Sequence, residues 1–231
     1  MTTVNLANNL ATVRDQILQS CQRHHRSSDD VCLIAVSKTR SEQEIRDVAR
    51  EGQIHFGENY VQESVDKIAK ITDIELVWHF IGPIQKNKTK LIAEHFSWVH
   101  SIDRESVAVR LNNQRPTNMP ALNICLQINI DDENSKSGIA ASKLIPLAES
   151  IQQLPNLKLR GLMAIPSASD NFDQQSASFQ KMADLLVELK QNHLEADTLS
   201  MGMSNDYDAA IACGATMVRI GTAIFGPRHY S

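Results

Sequence analysis

Eight short apolar stretches, each followed by a segment whose apolar residues recur at helical spacing, constrain this chain more than any other feature of its sequence. The first, Val31-Cys32-Leu33-Ile34-Ala35-Val36, is a continuous apolar run of strand length, which suits a strand covered on both faces. Residues 54–56, 76–81, 98–100, 121–130, 157–165, 198–201 and 215–220 read as the strands that follow it. The spacing predicts helices over 42–50, 60–71, 86–95, 104–112, 144–154, 179–189 and 206–212, with Pro146 tolerable in a first turn. Leu6, Leu10, Val13, Ile17 and Cys21 step by three and four residues, so a further helix precedes the first strand.

Strands alternating with helices, without hairpin signals between them, argue for a parallel sheet, and eight such units favour closure over an open sheet. The expected fold class is therefore α/β, a single (β/α)8 TIM barrel with an additional N-terminal helix, residues 1–231 forming one domain. An open doubly wound sheet is the structural alternative. No linker, low-complexity tract or internal repeat interrupts the series.

Charge and cysteine usage exclude several function classes. Lys+Arg 23 against Asp+Glu 27 leaves a net charge of -4, so the basic excess that neutralises nucleic-acid phosphates is missing. No segment approaches the ~20 apolar residues that span a bilayer, and residues 1–10 lack the pattern of an export signal, so a cytoplasmic protein is expected. Cys21, Cys32, Cys125 and Cys213 include no C-x-x-C pair and read as reduced thiols. Cys21, His24 and His25 crowd the end of the first helix, but adjacent histidines diverge on a helix, so no metal site is expected.

In a barrel of this kind chemistry sits at the carboxyl ends of the strands. Lys38 ends the most apolar strand, where desolvation would lower its pKa from about 10.4 and make it an amine able to form a Schiff base. The plainer reading is a lysine that reaches the rim and pairs with Glu58 or another carboxylate. Ser204 precedes the helix expected near Asp206, and Gly221-Thr222 ends strand 8. Unpaired N–H groups at helix starts and small glycines suit an anion, and the loops after strands 7 and 8 are the usual phosphate site of such barrels. Ser204 as an ordinary N-cap and Gly221 as a turn glycine are the alternatives. Alternation along strand 8 points Arg219 into the barrel if Val218 and Ile220 pack under helices, and a buried guanidinium needs an acceptor, a carboxylate or a ligand atom. The polar loops at 82–88 and 134–138 complete the rim.

Five blocks carry a resemblance: Ala35-Val36-Ser37-Lys38-Thr39, the run Phe56 to Glu63 (FGENYVQE), Trp78-His79-Phe80-Ile81-Gly82, Ser200-Met201-Gly202-Met203-Ser204 and Val218-Arg219-Ile220-Gly221-Thr222. In this order they resemble the pyridoxal phosphate homeostasis protein family, single barrels similar to the N-terminal domain of alanine racemase. The resemblance runs from Val31 to Gly226. It implies that Lys38 forms an aldimine with pyridoxal 5'-phosphate (PLP), that Ser204, Gly221 and Thr222 hold the phosphate, and that Arg219 faces the pyridine nitrogen. Asn59, His79 and Ser101 are implied ring neighbours. Ile84, Asn205 and Ala215 depart from the family pattern, and Asn205 removes a charge beside Ser204.

Three functions compete on this reading. A non-catalytic PLP binder that stores or delivers vitamin B6 cofactor is favoured over a PLP-dependent racemase and over a Schiff-base aldolase. A related racemase takes a tyrosine from a second, β-rich domain, which is not expected here. A guanidinium beside the pyridine nitrogen also weakens the ring as an electron sink. The implied partners are PLP and apo PLP-dependent enzymes, with neither nucleic acid nor membrane, and a monomer is expected.

Overall fold

The computed structural model describes residues 5–131, 133 and 137–227. Strands β1 (Cys32–Val36), β2 (His55–Glu58), β3 (Val77–Phe80), β4 (Trp98–Ile102), β5 (Leu122–Ile128), β6 (Leu157–Ala164), β7 (Thr198–Ser200) and β8 (Met217–Ile220) form a closed barrel in chain order. All neighbours are parallel, and β8 returns to β1 with Cys32 opposite Met217 and Ala35 opposite Ile220. Closure removes both sheet edges, so the open-sheet alternative is excluded.

Helices α2 (Glu42–Arg50), α3 (Val61–Lys70), α4 (Thr89–His95), α5 (Glu105–Gln114), α6 (Leu144–Gln152), α7 (Phe172–Lys190), α8 (Tyr207–Ala212) and α9 (Thr222–Phe225) follow the strands. Ahead of them, α1 (Leu6–Arg23) buries Leu10, Val13, Ile17 and Cys21, the stripe visible in the sequence. Ser20 Oγ donates to Asp208 at 2.6 Å and Asn9 Nδ2 to the Ile224 carbonyl at 2.9 Å, so α1 is fastened to the last two helices.

Element ends differ from the periodicity where polar residues mask it. α7 begins at Phe172 rather than at residue 179, because its exposed first turns are polar and are started by Asn171, whose side chain accepts from the Gln174 N–H at 3.0 Å. Residues 86–88 form a 3-10 turn ahead of α4 instead of its first turn. β2 and β4 run on to Glu58 and Ile102, past polar residues that end the apolar pattern.

Two apolar layers result. Phe56, Phe80, Val99, Leu126, Val218 and Ile220 pack outward under the helices. Ile34, Trp98, Cys125, Met163 and Met217 fill the barrel, with Cys32 and Val77 against them. A file of polar side chains shares that interior. His55 Nδ1 lies 2.9 Å from His79 Nε2, His79 Nδ1 lies 2.9 Å from His100 Nε2, and His100 Nδ1 lies 2.7 Å from Ser200 Oγ. Trp98 stacks on His79 with ring centroids 5.6 Å apart. Burial holds His79 well below the ordinary histidine range and lowers His55. It also pushes His100 down to about 3, with the Arg219 charge adding to the effect. All three rings are therefore neutral at neutral pH.

Neutral burial makes the barrel acid-sensitive. The unfolded chain protonates these rings near pH 6.5 while the folded one resists, so their contribution is complete above about pH 6.5 and is lost as pH falls toward 3. At pH 5 His100 alone should cost about 2 kcal/mol, with His79 adding in the same direction. Urea unfolding compared at pH 8 and pH 5 measures this, and a profile that rises on acidification would contradict it.

Candidate functional site

A cavity of about 790 Å³ opens at the carboxyl ends of the strands. Lys38 follows β1, Asn59 follows β2, Ile165 and Pro166 follow β6, Met203 to Asp206 follow β7, and Arg219, Gly221 and Thr222 come from the end of β8. Six residues singled out from the sequence thus share one wall: Lys38, Asn59, Ser204, Arg219, Gly221 and Thr222.

His79 and Ser101 are not on that wall. The pleat turns His79 into the barrel interior, where it bonds His55 and His100 rather than facing the mouth. Ser101 is buried and donates to the Gly82 carbonyl, in a part of β4 where the register with β5 shifts between Val99 and Ile102. The 82–88 loop does not line the cavity but presses on Asn59, since a Cβ at Gly82 would stand 2.3 Å from the Asn59 carbonyl oxygen. Of the 134–138 loop, Asn134, Ser135 and Lys136 lie outside the described residues.

A buried clamp places Lys38. The Lys67 ammonium, on α3, donates to the Ser37 carbonyl at 2.8 Å and to Glu58 at 2.9 Å, and it also pairs with Glu63. Ser37 Oγ donates to Glu58 at 2.7 Å, and the Thr39 N–H donates to Glu63 at 2.6 Å. Both residues that flank Lys38 are therefore held from beneath. Thr39 sits at φ +62°, a left-handed conformation that is unfavourable for a β-branched side chain and that the clamp sustains. Glu58, which the plainer sequence reading offered to Lys38, is engaged by Lys67 and Ser37 instead. Burial raises its pKa against the lowering effect of Lys67.

Arg219 is buried in the barrel top as its strand alternation predicted. Its guanidinium donates to Ser200 Oγ at 2.8 Å and to the Ala164 carbonyl at 3.0 Å, so its bonded acceptors are neutral rather than carboxylates. Burial lowers its pKa to about 10, with Asp206 pulling the other way, and it stays protonated at neutral pH. Asp206 is itself pushed up by burial and accepts from the Met203 N–H at 2.5 Å, closing the turn that carries Ser204. At α9 the first recorded intrahelical bond is Ile224 N–H to the Gly221 carbonyl at 3.0 Å, so the N–H groups of Thr222 and Ala223 precede the ladder at the cavity wall.

Sequence reasoning missed Gln16, Arg40, Asp206 and the Lys67 clamp. Gln16 arrives from α1, and nothing local connects a helix before β1 with the rim. Lys67 had a signal in Glu63 four residues earlier, but that spacing reads equally as an exposed helix pair. The assembled wall offers an amine, a guanidinium, N–H groups at α9, and the side-chain Oδ1 of Asn59, buried without a hydrogen-bond partner among the described residues. Such a set suits a polar ligand with an anionic end.

Removing the Lys67 charge should leave Glu58 buried and uncompensated. Lys67→Met is expected to cost about 3 to 5 kcal/mol in denaturant unfolding, while the double variant with Glu58→Gln should recover much of it. Strict additivity of the two substitutions would show that the clamp does not act as a unit.

Comparison with known proteins agrees with this fold. Residues 8–229 match the family model of the alanine racemase N-terminal domain. The pyridoxal phosphate homeostasis protein of Escherichia coli K12 is 52% identical over 230 residues, covering 98% of each chain. PipY of Synechococcus elongatus PCC7942, solved with PLP bound, superposes at a TM-score of 0.84 with 35% identity, covering 96% of this chain and all of that one. Alanine racemase of Corynebacterium glutamicum, at 16% identity and a TM-score of 0.71, shares the fold over 62% of its own length. The chain belongs to the pyridoxal phosphate homeostasis protein family, on the barrel of the alanine racemase N-terminal domain.

Proposed function

We propose that this protein binds PLP at the mouth of its barrel and serves intracellular PLP homeostasis, storing or delivering the cofactor without turnover of its own. The observation that carries the reading is the convergence of Lys38, Arg219 and the Ser204 and Thr222 loops on one cavity. Bound there, PLP supplies an aldehyde that condenses with an amine and a pyridine ring able to withdraw electrons. Lys38 holds the amine at the wall, steadied by the clamp through Ser37 and Thr39. Ser204, Gly221 and Thr222 hold the phosphate with hydroxyl and N–H groups. A Cβ at Gly221 would crowd the Val36 carbonyl oxygen at 3.2 Å, so the close approach of β8 to β1 favours glycine there. Asn59 Oδ1, buried and without a hydrogen-bond partner among the described residues, is left for a ring substituent. The name of the E. coli relative and the PLP held by PipY support the same reading.

Arg219 favours a binder over a racemase. A group that stays protonated at neutral pH would, if it faced the pyridine nitrogen of bound PLP, oppose protonation of that nitrogen and weaken the electron sink that carbanion chemistry needs. An aldolase without PLP would leave this buried guanidinium without a role. Apo PLP-dependent enzymes are the proposed recipients, and a monomer is the proposed form.

Borohydride reduction of the PLP-loaded protein followed by peptide mapping is expected to place the pyridoxyl group on Lys38, and Lys38→Ala should abolish the visible band. Label found chiefly on Lys86, Lys88 or Lys136 would overturn the assignment. Incubation with individual amino acids in heavy water should show no α-hydrogen exchange near enzyme-like rates of about one per second. Exchange at such rates would make the protein a catalyst.

A further inference from the structure

The histidine file in the barrel interior reaches the same guanidinium that lines the cavity. Arg219 donates to Ser200 Oγ at 2.8 Å, and Ser200 Oγ lies 2.7 Å from His100 Nδ1, the head of the file that continues through His79 to His55. His79, His100 and Ser200 are fully buried, and His55 is half-buried at the start of β2.

Counting protons orders this file. A guanidinium has no acceptor, so Arg219 must donate and Ser200 must accept. The hydroxyl proton of Ser200 then needs its own acceptor, and among the described hydrogen bonds its other contact is His100 Nδ1. If Ser200 donates there, neutral His100 carries its proton on Nε2 and gives it to His79 Nδ1. His79 in turn carries its proton on Nε2 and gives it to His55 Nδ1. The reverse polarity would leave the Ser200 proton buried without an acceptor, which is costly in this setting. A protonated ring within the file would put two protons into one link, and the depressed basicity of all three rings agrees with neutral ones. The file stops where a ring nitrogen is no longer enclosed, at half-buried His55.

We propose that Ser200, His100, His79 and His55 are positioning residues for Arg219: a one-directional hydrogen-bond relay across the barrel that locks the Ser200 hydroxyl and so holds the guanidinium toward the cofactor cavity. An isolated serine hydroxyl is a free rotor and a poor anchor for a buried cation. A hydroxyl whose proton is committed to His100 presents its lone pairs to Arg219 in one orientation. The histidines never touch the ligand and act through Arg219. The cofactor part of the proposal rests on the reading of the cavity as a PLP site.

The test uses 15N-labelled protein, with and without PLP. In the wild type, ring 15N spectra should show His79 and His100 as single neutral tautomers protonated on Nε2. Ser200→Ala should turn His100 into a tautomer mixture, lower PLP affinity about tenfold, the loss of about one hydrogen bond to a charged group, and shift the visible band of bound PLP. Lys38 should remain the labelled residue. Ser200→Thr, which keeps the hydroxyl, should restore both readouts. His100→Phe, which keeps the ring shape, is expected to reproduce the Ser200→Ala effect on PLP should that variant not fold. Nδ1-protonated His100 in the wild type would overturn the polarity. Altered tautomers with unchanged PLP affinity and spectrum would reduce the relay to core structure and overturn the positioning role. Failure of the functional reading is seen separately, as absence of PLP from Lys38 in the wild type with the tautomer pattern intact, and the positioning role would fall with it.

Discussion

Closure of β8 onto β1 is the constraint on which the rest depends. Pairing Ile34 with Arg219 and Ala35 with Ile220 sets these two strands level, so their ends rise to the rim together. Lys38 and Thr222, far apart in the chain, become neighbours on one cavity wall through that register alone. A slip of one residue would turn Arg219 out under the helices and Val218 or Ile220 into the barrel, replacing the buried cation with an aliphatic side chain. The apolar outer layer, which buries Val218 and Ile220, is what makes such a slip costly.

The interior of this barrel is unusual in carrying charge and imidazole among its packed side chains. A guanidinium excluded from water needs acceptors in fixed positions, and here they are a serine hydroxyl and a strand carbonyl rather than a carboxylate. Neutral acceptors leave the positive charge uncancelled at short range, with Asp206 near enough to oppose its loss of protonation. On the proposed reading of the cavity, such a cation would suit holding a cofactor ring more than exploiting it. The clamp under Lys38 follows the opposite logic, where the Lys67 ammonium pairs with the carboxylates of Glu58 and Glu63 so that the segment Ser37 to Thr39 keeps a strained turn.

Much of this was legible in the chain itself. Runs of strand length alternating with helical periods led to a closed parallel barrel, because each period reports which face of an element must leave water. The inward orientation of Arg219 followed from the same alternation in four residues of β8. Six rim residues were legible because the carboxyl ends of barrel strands are where such a fold collects polar groups. His79 was misread as a rim residue because its strand position was clear but its depth was not. Depth along a barrel depends on the stagger between strands, which no single strand encodes.

Local pattern therefore determined the elements, their order and the inward turn of Arg219, since periodicity is a property of neighbouring residues. Which polar groups meet was decided only by tertiary structure. Gln16 reaches the mouth from a helix before β1, Lys67 finds Glu58 under the rim, and His100 finds Ser200 across the barrel. The last pair is separated by 100 positions in the chain. Hydrogen bonds are short and directional, so partners so distant exist only once closure has brought their strands within about 3 Å of contact.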